Sequence, residues 1–387
     1  APSGLGRMRR VLPRPLCRAV WRPFSGVSEG AVGRDVSLSE SLISGSSLGE
    51  YGADAGKFME IKEAATASLF PRGLPEDSMG YLTRSDGRLA LMVRSPALQV
   101  IQALRAVSDK EGGAAGESEA AELPPYHVLT SDFRGVGKSL SLAHAVHWAR
   151  DQGWVVLFVT DSLEFVQGGH WVQPSPYVEG MFDQPQVAHA VLEEFHAIHG
   201  EAVASLPVQT DEAKAHFSSA TTLGELMQAG LADQDAASQA VADLRLELGA
   251  QTDLPFLLAI DNVDLLYRNT EYHHDMRKLD PAEMTLLHGL RDLSKDGELI
   301  PGREIQNGRL VVATTRRYQN VPEDKRLSTD QACHVDVEPF SMEELKQLVA
   351  YCTHEGLIEP KPDAEVNLCR VQSQSIPKLV MERLVLG

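Results

Sequence analysis

One stretch, Tyr126 to Arg150 (YHVLTSDFRGVGKSLSLAHAVHWAR), constrains this chain more than any other. A short β-type run, Tyr126–Thr130, enters a turn carrying Gly135 and Gly137. Leu140, Leu142, Ala143, Val146 and Ala149 then recur at helical spacing. Strand, glycine turn and helix in that order are the context of a phosphate-binding P-loop. Successive backbone N–H groups and the positive end of the new helix would face a polyphosphate. Arg134, Gly135, Val136, Gly137, Lys138, Ser139 and Leu140 are the candidate nucleotide-binding residues. Lys138 would reach the β and γ phosphates, and the Ser139 hydroxyl would sit on Mg²⁺. The pattern G-x-x-x-x-G-K-[ST] departs at its first glycine, where the chain has Asp132. A carboxylate there would narrow the turn and repel a phosphate. The plain alternative is a glycine turn before an ordinary amphipathic helix with an exposed lysine.

The rest of the chain alternates in the same manner. Trp154–Val159 and Phe256–Ile260 are continuous apolar runs of buried strands, with further strands expected at Leu310–Ala313 and Cys333–Val337. Helices are expected over Pro96–Leu104 with Ser95 as cap, from Gln186 to Phe195, over Thr221–Ala232 and Gln234–Leu248, and over Asp280–Lys295 with Pro281 in its first turn. Ser341-Met342-Glu343-Glu344 is a capping box opening a helix to Tyr351. Two short helices follow between Ala364 and Leu386, separated near Ser375-Ile376-Pro377. The fold class is therefore α/β, a mainly parallel sheet covered by helices on both faces. The divisions read as a basic extended arm and linker over 1–56, an adapter with a mobile acidic loop over 57–122, a nucleotide-binding core over 123–338, and a helical, lid-like region over 339–387.

Ligands of such sheets bind at the carboxyl ends of the strands. Asp261 ends an apolar strand, as the magnesium-holding acid of P-loop proteins does, and would stand opposite Ser139. Hydrolytic relatives of that class commonly place a glutamate directly after this acid, whereas this chain has Asn262, which is no base. Asp264 is the one candidate catalytic carboxylate, and only if its turn aims it inward. General-base catalysis contributes about 10²–10⁴-fold, so hydrolysis is expected to be slow or absent. Thr314 and Arg316 are candidate sensors of the terminal phosphate, with Thr315 and Arg317 beside them. The expected cofactors are GTP/GDP or ATP with Mg²⁺, because the guanine-reading N-K-x-D signature is missing. His144, His147, His273, His274 and Asp275 lack ligand spacing, and no metal is assigned to them.

Charge is unevenly spread over the 387 residues. Arg7, Arg9, Arg10, Arg14, Arg18 and Arg22 precede the first acid, leaving 30 basic against 54 acidic residues beyond them, a net of −24. An arginine-rich, acid-free start suits a mitochondrial transit peptide or a retained arm on RNA phosphates. The acidic remainder opposes a broad nucleic-acid face, so any rRNA contact is expected to be local. No run approaches the ~18 apolar residues of a membrane span, and no membrane partner is expected. Cys17, Cys333, Cys352 and Cys369 form no C-x-x-C pair and fit a reducing compartment.

Three stretches carry a resemblance: LSLAHAVHWARDQGWVVLFV, WVQPSPYVEGMFDQP and FLLAIDNVDLLY, with EPFSMEEL and its helical tail following. In order and approximate spacing, from about Leu91 to Gly387, the chain resembles the death-associated protein family of mitochondrial ribosomal GTP-binding proteins. The resemblance implies an AAA+-related P-loop core in the mitochondrial matrix, placed in the head of the small ribosomal subunit near the interface. It implies ribosomal proteins of the head, and of the large subunit across the interface, as partners, with the basic arm touching rRNA. It implies a bound purine nucleotide with a structural or regulatory role. Two other readings stay open: an active AAA+-type ATPase or signalling switch in the matrix, and a degenerate scaffold that binds no nucleotide.

Overall fold

In the computed structural model, which describes residues 55–61, 89–111, 125–315 and 327–385, a short antiparallel ribbon of β1 (Phe58–Ile61) and β2 (Leu89–Met92) leads into α1 (Ser95–Glu111). β3 (Tyr126–Thr130), the glycine turn and α2 (Lys138–Asp151) follow as the sequence predicts. Next come β4 (Val155–Val159), the short α3 (Leu163–Gln167), and a hairpin of β5 (Gln173–Pro174) and β6 (Phe182–Asp183). A helical block then runs through α4 (Pro185–Val203), α5 (Asp211–His216), α6 (Leu223–Ala232) and α7 (Gln234–Ala250). β7 (Phe256–Ile260), the small hairpin β8 (His273–His274) and β9 (Arg277–Lys278), and α8 (Thr285–Gly289) precede β10 (Gly308–Ala313) and β11 (Cys333–Asp336). The chain closes with α9 (Met342–His354), α10 (Asp363–Ser373) and α11 (Pro377–Val385). The arginine-rich arm and the acidic stretch after Glu111 lie outside the described residues, as do Arg316 and Arg317.

Five strands form one parallel sheet in the order β11-β3-β10-β7-β4. Their apolar runs are continuous because alternate side chains enter two different cores, and a strand covered on both faces has no solvent side to mark. Val155, Leu157 and Val159 of β4, with Phe256, Leu258 and Ile260 of β7, pack against the helical block. Val156, Phe158, Leu257 and Ala259 point the other way, onto Trp148 of α2 and Leu98 and Ile101 of α1. A third, smaller core joins α9 to α11 with Phe58 and Ala90 of the ribbon, where the Phe58 and Tyr351 rings stack at 3.7 Å.

Two helical expectations are corrected. α1 begins at Ser95 itself and runs past Leu104 to Glu111. The predicted helix over Asp280–Lys295 does not form. A 3₁₀ turn at Pro281–Glu283, capped by Asp280, is followed by the five-residue α8, and Leu293 then bridges to Leu299 in an extended segment. Leu286, Leu287, Leu290 and Leu293 are buried and have helical spacing, which is what the sequence signals. Tertiary bonds break the pattern. Arg291 donates to the Leu266 carbonyl (2.8 Å) and lies over the Tyr267 ring, while Asp292 turns inward to a buried ion pair with Arg245 of α7.

Candidate nucleotide-binding site

Strand register brings the candidate residues to one edge. Thr130 pairs with Asp336, Val159 with Ile260, and Leu129 with Ala313, so the carboxyl ends of all five strands are level. The glycine turn leaves β3 there, Asp261 follows β7, and Thr314 follows β10. Asp261 N–H donates to the Val159 carbonyl at 2.9 Å, and Thr314 N–H to the Leu129 carbonyl at 3.1 Å.

Gly135 and Gly137 hold φ of +82° and +98°, a region that side-chain-bearing residues rarely enter. The Gly135 carbonyl accepts from Lys378 N–H (3.0 Å), and the Val136 carbonyl accepts from the Arg94 guanidinium (2.7 Å). In a trans peptide the N–H points opposite to its carbonyl. The N–H groups of Val136 and Gly137 therefore face away from Arg94 and Lys378. The first backbone bond of α2 is Ser141 N–H to the Gly137 carbonyl, which leaves the N–H groups of Lys138, Ser139 and Leu140 without an intrahelical acceptor. No side chain caps this helix and no acid sits in its first turn. A row of donors at the positive end of a fourteen-residue helix is the geometry of an anion cradle. Arg134 and Asp132 are exposed at its rim.

Lys138 is buried, and burial holds its ammonium below the usual range while Asp261 and then Asp264 pull it back up. The Ser139 hydroxyl lies against the Asp261 carboxylate, which burial pushes up to about 7, with Asp161 adding repulsion. A serine hydroxyl beside a carboxylate is a hard oxygen pair that fits Mg²⁺. The chemistry of the donors thus suits both parts of a magnesium nucleotide.

Asn262 has φ of 55°, in the left-handed region that asparagine tolerates better than most residues, and its amide donates to Asp161 at 2.9 Å. The Asp264 carboxylate is buried and engaged. It accepts from the Thr315 N–H and hydroxyl, both at 2.7 Å, and pairs with Arg268. In this conformation it holds Thr315, two residues beyond the end of β10. The Thr314 hydroxyl is buried, directed at the Leu129 carbonyl (3.4 Å).

Sequence reading overlooked three contributors. Asp161 accepts from both Asn262 and Leu163 N–H, and buried Ser162 donates its hydroxyl to the Asp261 carbonyl at 2.7 Å. Their signal was the polar Thr160-Asp161-Ser162 directly after the apolar β4. Arg94 lies far from the turn in sequence and left no local signal.

Fold and edge together define a mixed α/β protein with a five-stranded parallel sheet and a polar cluster at its carboxyl side. Residues 91–385 match the family described as mitochondrial ribosomal death-associated protein 3, and the chain belongs to that family. Membership assigns it to the mitochondrial matrix. It is 29% identical over 248 residues to the small ribosomal subunit protein mS29 of Mus musculus, covering 62% of this chain and 60% of that one. The corresponding Bos taurus protein is 27% identical, with 62% and 59% covered. The aligned part thus spans about 60% of the length of these relatives. A chain in the structure of the E. coli MS115-1 HORMA:CdnC:Trip13 complex aligns over 84% of this chain and 93% of its own, at 11% identity and a TM-score of 0.31. So low a score bears on neither fold nor function.

Proposed function

We propose that this chain is a structural component of the mitochondrial small ribosomal subunit that binds a magnesium purine nucleotide and hydrolyses it slowly or not at all. The ribosomal half of the reading is supported by family membership and by the mS29 relatives. Placement in the subunit head, and contact across the interface, come from the resemblance described above. The nucleotide half is carried by one observation: the donor row of residues 136–140 meets buried Lys138, and Ser139 meets Asp261, at the carboxyl edge of the sheet. The strand order supports an AAA+-like P-loop core, since β3 lies between β10 and β11 and its turn opens where the connections diverge. When bound, the metal would supply charge neutralisation to the phosphates. Lys138 and the backbone donors would hold the phosphate oxygens, and Ser139 and Asp261 would hold the ion. Asn262 offers no base, and Asp264 is engaged by Thr315 and Arg268, which favours retention over turnover.

Two measurements test the two halves. On a density gradient of mitochondrial lysate the native protein should co-sediment with the small subunit. A peak at the free-protein position overturns the ribosomal role. Purified protein should be stabilised by Mg²⁺ with GDP or ADP, by about 2.7 kcal/mol at a hundredfold excess over Kd. Lys138→Ala should weaken that binding about a hundredfold or more, since charge-assisted bonds to phosphate are lost. A melting temperature indifferent to nucleotide in the wild type overturns the nucleotide half and favours the empty scaffold.

A further inference from the structure

Arg94 stands at the junction of β2 and α1, 42 residues before Val136 and 250 before Glu344, yet its guanidinium joins both. Nη1 donates to the Val136 carbonyl at 2.7 Å. Nη2 donates to the Glu338 carbonyl at 2.9 Å, where the chain leaves β11. Nε donates to the Glu344 carboxylate at 2.8 Å, and the guanidinium lies 4.9 Å from the centre of the Phe340 ring. Arg94 is 8% exposed, so these bonds are made largely out of water. Glu344 is itself fixed, because it closes the capping box of α9 by accepting from Ser341 N–H at 2.8 Å. The guanidinium is thus held by α9 on one side while it holds a carbonyl of the glycine turn on the other.

We propose that Arg94 is a positioning residue of the glycine turn, setting the Val136–Gly137 peptide so that its N–H faces the phosphate side. This rests on the nucleotide reading above. A peptide plane can flip while its neighbours stay in place, and glycine at 137 makes that flip conformationally cheap. Only the orientation seen here sends the carbonyl to Arg94 and the N–H toward the cradle. The planar fork of arginine is needed because three acceptors lie in three directions, and a lysine ammonium reaches them less well. Glu344 acts one step further out, by holding the fork. The preceding carbonyl, of Gly135, is taken by Lys378 N–H of α11, so two consecutive peptides of the turn are oriented by groups outside it.

The test uses the full chain and the fluorescent methylanthraniloyl esters of GDP and ADP, with Mg²⁺, in titrations of wild type, Arg94→Lys and Glu344→Gln. Glutamine at 344 preserves the capping box, so α9 keeps its start. Hydrogen exchange of the 133–141 peptide is followed in the same proteins without nucleotide. Each variant should bind the diphosphates about tenfold or more weakly, the scale of one charge-assisted bond. The turn should exchange faster in the same variants. A variant that melts earlier but binds with wild-type affinity, or leaves exchange of the turn unchanged, overturns the role of Arg94 and spares the nucleotide reading. Failure of the wild type itself to bind either ester overturns the nucleotide reading, and this role with it.

Discussion

At Gly135 a Cβ would stand 2.8 Å from the Cβ of Lys378, besides meeting a φ that costs an L-residue about 1–2 kcal/mol. The glycine was visible in the sequence as a turn residue, but its second constraint, the close approach of α11, was not. The same holds for His199. Nothing in the sequence marks it, yet it is buried, and its Nε2 accepts the N–H of Val156 at 3.2 Å, which requires a neutral ring. Burial lowers its pKa to about 4 from 6.5, with Arg150 adding to the effect. Between those values the unfolded chain takes up a proton that the folded chain does not. Stability from this group is therefore complete above about 6.5, declines as pH falls toward 4, and levels below. Buried Asp261 and Asp292, raised to about 7 and about 6, shift stability in the opposite direction over part of that window. The informative measurement is accordingly the difference between wild type and His199→Gln in urea unfolding. Wild type should lose ground by about 1.4 kcal/mol per pH unit on acidification. A difference that stays constant from pH 7 to 4.5 would contradict the assignment.

At the scale of elements, α7 is a helix buried almost all round that nonetheless carries charge. Its alanines admit close neighbours: a Cβ on Gly230 or Gly289 would lie 2.6 Å from Ala240 or Ala242. Each buried charge has its own partner. Asp243 pairs with His216 at 2.9 Å, Glu247 accepts from the N–H groups of Gln209 and Thr210 at 2.8 Å, and Arg245 pairs with Asp292. The last of these explains why Asp280–Lys295 is no helix. Apolar spacing encodes a helical preference, but an isolated helix of that length is marginal, and a buried arginine left unpaired costs more than the lost helical turns. Arg245→Met alone or Asp292→Leu alone should destabilise by about 3–5 kcal/mol, each leaving an uncompensated buried charge. The double variant should recover most of that loss, because two apolar side chains of similar volume need no pairing. Denaturant midpoints of the four proteins decide it, and additive single losses would remove the pair from the explanation.

Over the whole molecule, the sheet separates two cores, and protection from exchange should follow its order. β10 and β7 have a strand on each side and are buried along nearly their full length, whereas β11 lies at an edge with only Val335 fully buried. Hydrogen exchange should be slowest in 256–260 and 308–313 and clearly faster in 333–336, since local opening of an edge exposes fewer apolar contacts than global unfolding. Equal protection of the edge would mean that a surface outside the described residues, or a second molecule, covers it. The C-terminal helices form their own core with the β1–β2 ribbon. They meet the turn through Lys378 and, by way of Glu344, through Arg94. The division at residue 339 that the sequence suggested is thus crossed by bonds at the site itself.

The amino-acid sequence alone determined the five strands of the parallel sheet, the glycine turn, the capping box at Ser341 and the edge at which Lys138, Ser139 and Asp261 meet. These are local properties: continuous apolar runs in the strands, period-3.6 burial in the helices, left-handed backbone at glycine, and side-chain oxygens satisfying a helix start. Only the tertiary structure decided which way the turn's peptides face, what engages the carboxylates and where the Asp280–Lys295 helix breaks. Those outcomes depend on Arg94 with Val136 and Glu344, Asp264 with Thr315, and Arg245 with Asp292. In each case a buried polar group must find a partner once water is gone. That partner is fixed by packing between segments far apart in the chain, which no local pattern records.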